Sequence, residues 1–100
     1  MKQLTVVAKI TAKKGKEQET KQALESLIPI TLHEEGCINY DMHVSADNEG
    51  VFLFYETWSS YELWQKHMQN DHLQQFISKL PEIVEGDIEL STWYVNKNKN

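Results

Sequence analysis

Two apolar periods alternate along this chain, and their order admits few folds. In residues 4–12, Leu4, Val6, Ala8 and Ile10 fall on one side while Thr5, Val7, Lys9 and Thr11 fall on the other, the two-residue repeat of a strand. After the turn Lys13-Lys14-Gly15-Lys16 the apolar positions become Ala23, Leu24, Leu27, Ile28 and Leu32, the repeat of an amphipathic helix that starts at Glu17. Pro29 sits inside that repeat, where its missing N–H predicts a kink or local break. Gly36 is expected to close the helix as a C-cap.

Residues 37–44 return to the strand repeat, with Ile38, Tyr40, Met42 and Val44 on one face and Cys37, Asn39, Asp41 and His43 on the other. A polar turn over residues 45–50 joins them to residues 51–58, which predicts a hairpin. That third strand is apolar on both faces, so burial on both sides is expected. Ser59 and Glu62 have capping-box spacing and open a second helix through Leu63, Trp64 and His67. Asn70-Asp71 offers a restart, Leu73, Phe76, Ile77 and Leu80 continue the apolar stripe, and Pro81 closes it. A fourth strand is expected over residues 88–95, followed by a polar tail.

The order β-α-β-β-α-β is that of the ferredoxin-like split unit, an α+β fold with an antiparallel sheet and both helices on one face. Residues 1–96 are expected to form one such domain and residues 97–100 a polar C-terminal tail. The helices leave the other sheet face uncovered. A second copy packed sheet to sheet would cover it, so a homodimer is expected.

The net charge of -5, with ten lysines and no arginine, disfavours a nucleic-acid partner, because phosphate binding needs a concentrated positive field. No apolar run approaches the length of a membrane span, and no signal-peptide core precedes the first strand, so a soluble cytoplasmic protein is expected. Cys37 is the single cysteine, and no intrachain disulfide can form.

His67 and His72 invite a metal reading. On a regular helix, however, five residues separate side chains by roughly 140°, and neither a thiolate pair nor a third ligand stands nearby in sequence. No metal site is expected. Either histidine could instead face a pocket between helix and sheet as a proton donor or acceptor. Trp58, Trp64 and Phe54 could line such a pocket, and Glu56, on the same strand face, is either a base of raised pKa or a hydrogen-bond anchor. Asn39 and His43 could bind a hydroxyl or carbonyl group, and Cys37 reads as a small buried residue.

The first-strand Thr5-Val6-Val7-Ala8, the run Glu34-Glu35-Gly36-Cys37 with Tyr40, Glu56-Thr57-Trp58, and His67 with His72 together resemble the antibiotic biosynthesis monooxygenase domain, including small quinol monooxygenases. The resemblance covers nearly the whole chain. It implies a dimeric α+β barrel that oxidises a quinol-like or polycyclic phenolic substrate with molecular oxygen and uses no flavin, haem or metal cofactor. On that reading His72 is the leading acid/base residue and His67 the second, with Asn39, Trp58, Trp64, Phe54 and Glu56 binding substrate. Haem-degrading relatives resemble it less, since Ala8 stands where they carry an Asn and Phe76 or Ile77 near their iron-binding His. An isomerase of phosphorylated quorum-sensing sugars shares the Glu-Glu-Gly run and the helical His, and a non-catalytic dimer that binds an aromatic ligand would need the same pocket.

Overall fold

The structure, a computed structural model, describes residues 2–96. The expected tail at residues 97–100 lies outside them. Strands β1 (Leu4–Thr11), β2 (Cys37–Val44), β3 (Val51–Trp58) and β4 (Glu89–Trp93) form one antiparallel sheet in the order β2-β3-β1-β4. This is the α+β ferredoxin-like arrangement that the two apolar periods imply. The helices are α1 (Glu17–Leu32), α2 (Tyr61–Met68) and α3 (Asp71–Ile83). None is long and apolar enough to cross a membrane.

The register explains which face is buried. Pairing Leu4 with Trp58, Val6 with Glu56, Ala8 with Phe54 and Ile10 with Phe52 sends all eight side chains to the helix side. Leu24 and Leu27 of α1 and Leu73, Phe76 and Ile83 of α3 close over them, and their removal from water is the main force holding the layers together. On the outer face Val7 pairs with Tyr55 and Thr5 with Trp93, and both aromatic rings are exposed in the single chain.

Several local expectations are corrected. Helix α1 runs unbroken through Pro29, because the carbonyl deprived of its partner, on Glu25, lies on the exposed side, where water can bond it. Its C-cap is His33, not Gly36. The cap of α2 is Ser60, whose hydroxyl accepts from the Leu63 N–H, so Ser59 and Glu62 form no capping box. Pro81 lies inside α3, which continues to Ile83. Strand β4 is shorter than expected, and the outer face of β3 is only partly buried in the single chain.

The consequential difference is the break at Gln69 and Asn70. The second helix is two helices, and α3 starts in a new direction with Asn70 as its N-cap. Gly36, at φ +88°, matters in a different way from the one expected. A Cβ there would stand 2.6 Å from Leu63 Cδ1 and 2.8 Å from Leu63 Cβ, so the loop after α1 lies directly on α2.

Candidate functional site

Between the inner sheet face and helices α2 and α3 lies a cavity of about 700 Å³. Ala8, Ile10 and Phe54 form its sheet side, and Trp64, Met68, Leu73, Phe76, Ile77 and Leu80 its helix side. Three polar side chains, those of Tyr40, Glu56 and His67, line it, while the exposed Lys13 and Asp87 contribute at the outside. A volume of that size with mainly apolar walls and a few fixed polar groups is the usual form of a small-molecule site.

His67 is the best-supported of the three. Its ring lies against Trp58, with centroids 4.6 Å apart, and Tyr40 meets it edge-on. Nδ1 lies 2.9 and 3.0 Å from the two carboxylate oxygens of Glu34. A neutral imidazole donating Nδ1–H to that carboxylate keeps its lone pair on Nε2. Burial holds His67 below its ordinary pKa, and the Glu34 hydrogen bond opposes that shift only in part. The loop contact at Gly36 delivers Glu34 to this position.

His72 joins the same carboxylate. The break between α2 and α3 swings it round, so that Nε2 lies 3.0 Å from Glu34 Oε2. The separation of roughly 140° expected for a continuous helix does not apply, and a third donor is present. One ligand atom each from Glu34, His67 and His72 lie within 4.8 Å of one another. His72 Nε2 is shielded from solvent and makes no aligned hydrogen bond despite that short distance.

Glu56 is 5% exposed, and its Oε1 accepts a hydrogen bond of 2.9 Å from Trp58 Nε1. Burial, with the Trp58 bond opposing it and the Glu34 charge adding to it, pushes its pKa up to about 7. The folded state thus favours the protonated carboxyl. Its contribution is greatest below pH ~4.5 and is lost as pH rises through 7, a difference of about 3 kcal/mol. Urea denaturation should show Glu56→Gln more stable than wild type at pH 8 by up to that amount and nearly equal at pH 4.5. Equal stabilities at pH 8 would contradict the assignment.

The remaining candidates separate. Trp64 and Phe54 line the cavity. Trp58 does not; it is fully buried and acts through the contacts it makes to Glu56 and His67. Asn39 is not in the cavity either, since it pairs in register with Thr57 and its amide donates to the Thr57 hydroxyl. His72 does not line the cavity; Glu34 and His67 stand between. Burial first, then the Glu56, Glu34 and Asp41 charges, push the Cys37 thiol up to about 11, which leaves it protonated and a poor nucleophile. Sequence reasoning missed Glu34 and Tyr40 as site residues. Glu34 stands in the Glu34-Glu35-Gly36 run, but nothing in one dimension ties it to a helix 33 residues on.

Comparison with known proteins places the chain in a family. A Shewanella oneidensis protein of known structure is 33% identical and superposes with a TM-score of 0.89 over 94% of this chain and 91% of its own. A conserved protein from Methanosarcina mazei Go1 is 31% identical, with a TM-score of 0.86 over 93% and 92%. YcnE of Bacillus subtilis, provisionally described as a monooxygenase, is 25% identical over 87% of this chain and 92% of its own. An uncharacterized Synechocystis protein is 24% identical over 92% of this chain, which spans only 63% of that longer protein. Residues 3–79 match the family described as Antibiotic biosynthesis monooxygenase. The chain belongs to the antibiotic biosynthesis monooxygenase family.

Proposed function

We propose that the cavity binds a flat, largely apolar quinol or polycyclic phenol and promotes its oxidation by molecular oxygen. The observation that carries this reading is His67, which lines an apolar cavity while Glu34 holds its Nδ1. The ring is oriented and its Nε2 is left to accept a proton. Taking that proton leaves an electron-rich anion between mainly apolar walls, and the anion can itself supply electrons to oxygen. For an activated CH2 group the sum balances simply. The carbanion and O2 give a hydroperoxide, His67 returns the proton, and loss of water leaves C=O.

Glu34 extends the route from Nδ1, and His72 stands 3.0 Å from its carboxylate without an aligned hydrogen bond to it. Exposure rises from His67 at 3% to Glu34 at 12%, so the hydrogen-bonded pair leads from the cavity wall towards solvent, with His72 at 22% beside it. Glu56, protonated in a substantial fraction near neutral pH, is placed to donate to a substrate oxygen. A phosphorylated sugar fits these walls less well, because among the described residues Lys13 is the only lysine lining the cavity, and its ammonium donates to the Pro81 carbonyl.

The test is oxygen uptake by chelator-treated protein on reduced naphthoquinols and anthrones, against a no-protein autoxidation control. Uptake above the control supports an oxygenase. Saturable binding without excess uptake would support a ligand-binding dimer instead.

The dimer is part of the proposal. Val7, Leu53, Tyr55 and Trp93 lie on the sheet face that the helices leave open, and a second copy would cover them. Light scattering at micromolar concentration is expected to give twice the chain mass, and Tyr55→Glu to shift it towards the monomer. A wild-type monomer would contradict the packing.

A further inference from the structure

We infer that Glu34, His67 and His72 form a binding site for a divalent ion of the zinc type. Two imidazole nitrogens and one carboxylate oxygen are a ligand set that zinc takes readily, with a fourth position left to water. The set has too few oxygens for calcium and no thiolate for copper(I). Zinc bonds of about 2.0–2.2 Å place neighbouring donors roughly 3.3 Å apart in a tetrahedral site. The Glu34 carboxylate already stands 2.9 Å from His67 Nδ1 and 3.0 Å from His72 Nε2. All three donors lie within 4.8 Å of one another, so side-chain adjustment of an ångström or so completes the triangle.

An independent observation points to the same place. His72 Nε2 is a solvent-shielded nitrogen with no hydrogen bond, although a carboxylate oxygen is 3.0 Å away. An ion between the two satisfies the nitrogen and uses the oxygen. The surroundings suit a bound ion: the His67 ring is fixed by Trp58 and Tyr40, and the part-exposed His72 gives a way in from solvent. No other group of three such side chains is close enough to hold an ion among the described residues.

Binding does not depend on the proposed oxidation, but its consequence does. An ion on Nδ1 requires the His67 tautomer that carries its proton on Nε2, which removes the lone pair the oxidation uses and breaks the Glu34 hydrogen bond, so zinc should inhibit oxygen uptake.

The experiment is titration of the metal-stripped full chain with Co2+, read by the visible absorption of four-coordinate cobalt and by displacement with Zn2+. One ion per chain is expected, with Zn2+ affinity at or below about micromolar. Glu34→Gln and His72→Gln should each weaken binding at least tenfold, in the range by which ligand or supporting changes usually act. His33→Gln, outside the cluster, should leave it unchanged. Circular dichroism checks that each variant folds. The site is overturned by wild-type protein that binds no ion one-to-one below about 100-fold that concentration, or by folded Glu34→Gln and His72→Gln proteins that both bind as wild type does. Failure of oxygen uptake with cobalt binding intact would overturn the oxidation and leave the site standing.

Discussion

Replacing His67 by Gln should lower turnover on a quinol or anthrone by about 10²–10⁴-fold, the range that a positioned general base contributes. Gln is the informative change. It keeps a donor for Glu34, whose carboxylate would otherwise lose its 2.9 Å partner in a part-buried position, but it offers no basic nitrogen to the cavity. Substrate affinity should change little, because the cavity walls are mainly apolar, with Trp64, Phe54, Leu73 and Phe76 among them. Stopped-flow oxidation and equilibrium binding on the same protein separate the two effects. His72→Gln, at a residue that does not line the cavity, should cost less than His67→Gln. A His67→Gln protein with undiminished turnover would remove His67 from the chemistry.

Gly36→Ala should be the most damaging exchange of a single methyl group. A residue with a side chain pays about 1–2 kcal/mol at a positive φ such as +88°. The added Cβ also meets Leu63 Cδ1 at 2.6 Å, Leu63 Cβ at 2.8 Å and the Ser59 hydroxyl oxygen at 3.0 Å. Pushing the loop off α2 adds another 1–3 kcal/mol or so, as overpacking usually does. Together these lower Tm by roughly 10–20 °C in a domain of this size. Gly15 is the control: at φ +86° it shares the backbone strain, but nothing lies within 4 Å of its added Cβ. Gly15→Ala should therefore lose only the backbone part. If the two variants melted together, the contact between the Gly36 loop and Leu63 would be wrong, and with it the means by which Glu34 reaches His67.

The sheet was legible because alternation is a local property. Leu4, Val6, Ala8 and Ile10 reveal their common face without knowledge of any partner, and so do Phe52, Phe54, Glu56 and Trp58. Strand alternation also set Asn39 opposite Tyr40, and that opposition holds: Tyr40 lines the cavity while Asn39 bonds Thr57, the register partner of Thr5. Asn39, which the family resemblance implies as a substrate-binding residue, stands on the strand face opposite Tyr40. The Glu34, His67 and His72 cluster was hidden for a different reason. The five-residue spacing excludes shared ligation only while the helix is regular, and the two-residue break after Met68 cancels that premise. Asn70-Asp71 signalled a restart, but the angle of the restart is set by packing of Leu73 and Phe76 on the sheet, which no periodicity contains. Trp58 illustrates the remaining gap. Its face was correct, yet burial placed it behind Glu56 and His67 instead of against a ligand.

Anaerobic mixing of the protein with an anthrone or naphthoquinol, followed by absorption spectroscopy of the bound substrate, tests the central claim most directly. With oxygen absent the cycle stops at proton transfer. At neutral pH the expected result is the red-shifted spectrum of the substrate anion on wild-type protein and the neutral spectrum on His67→Gln, at equal occupancy. A neutral bound substrate on both proteins, or an anion on both, would contradict the assignment of His67 as the base.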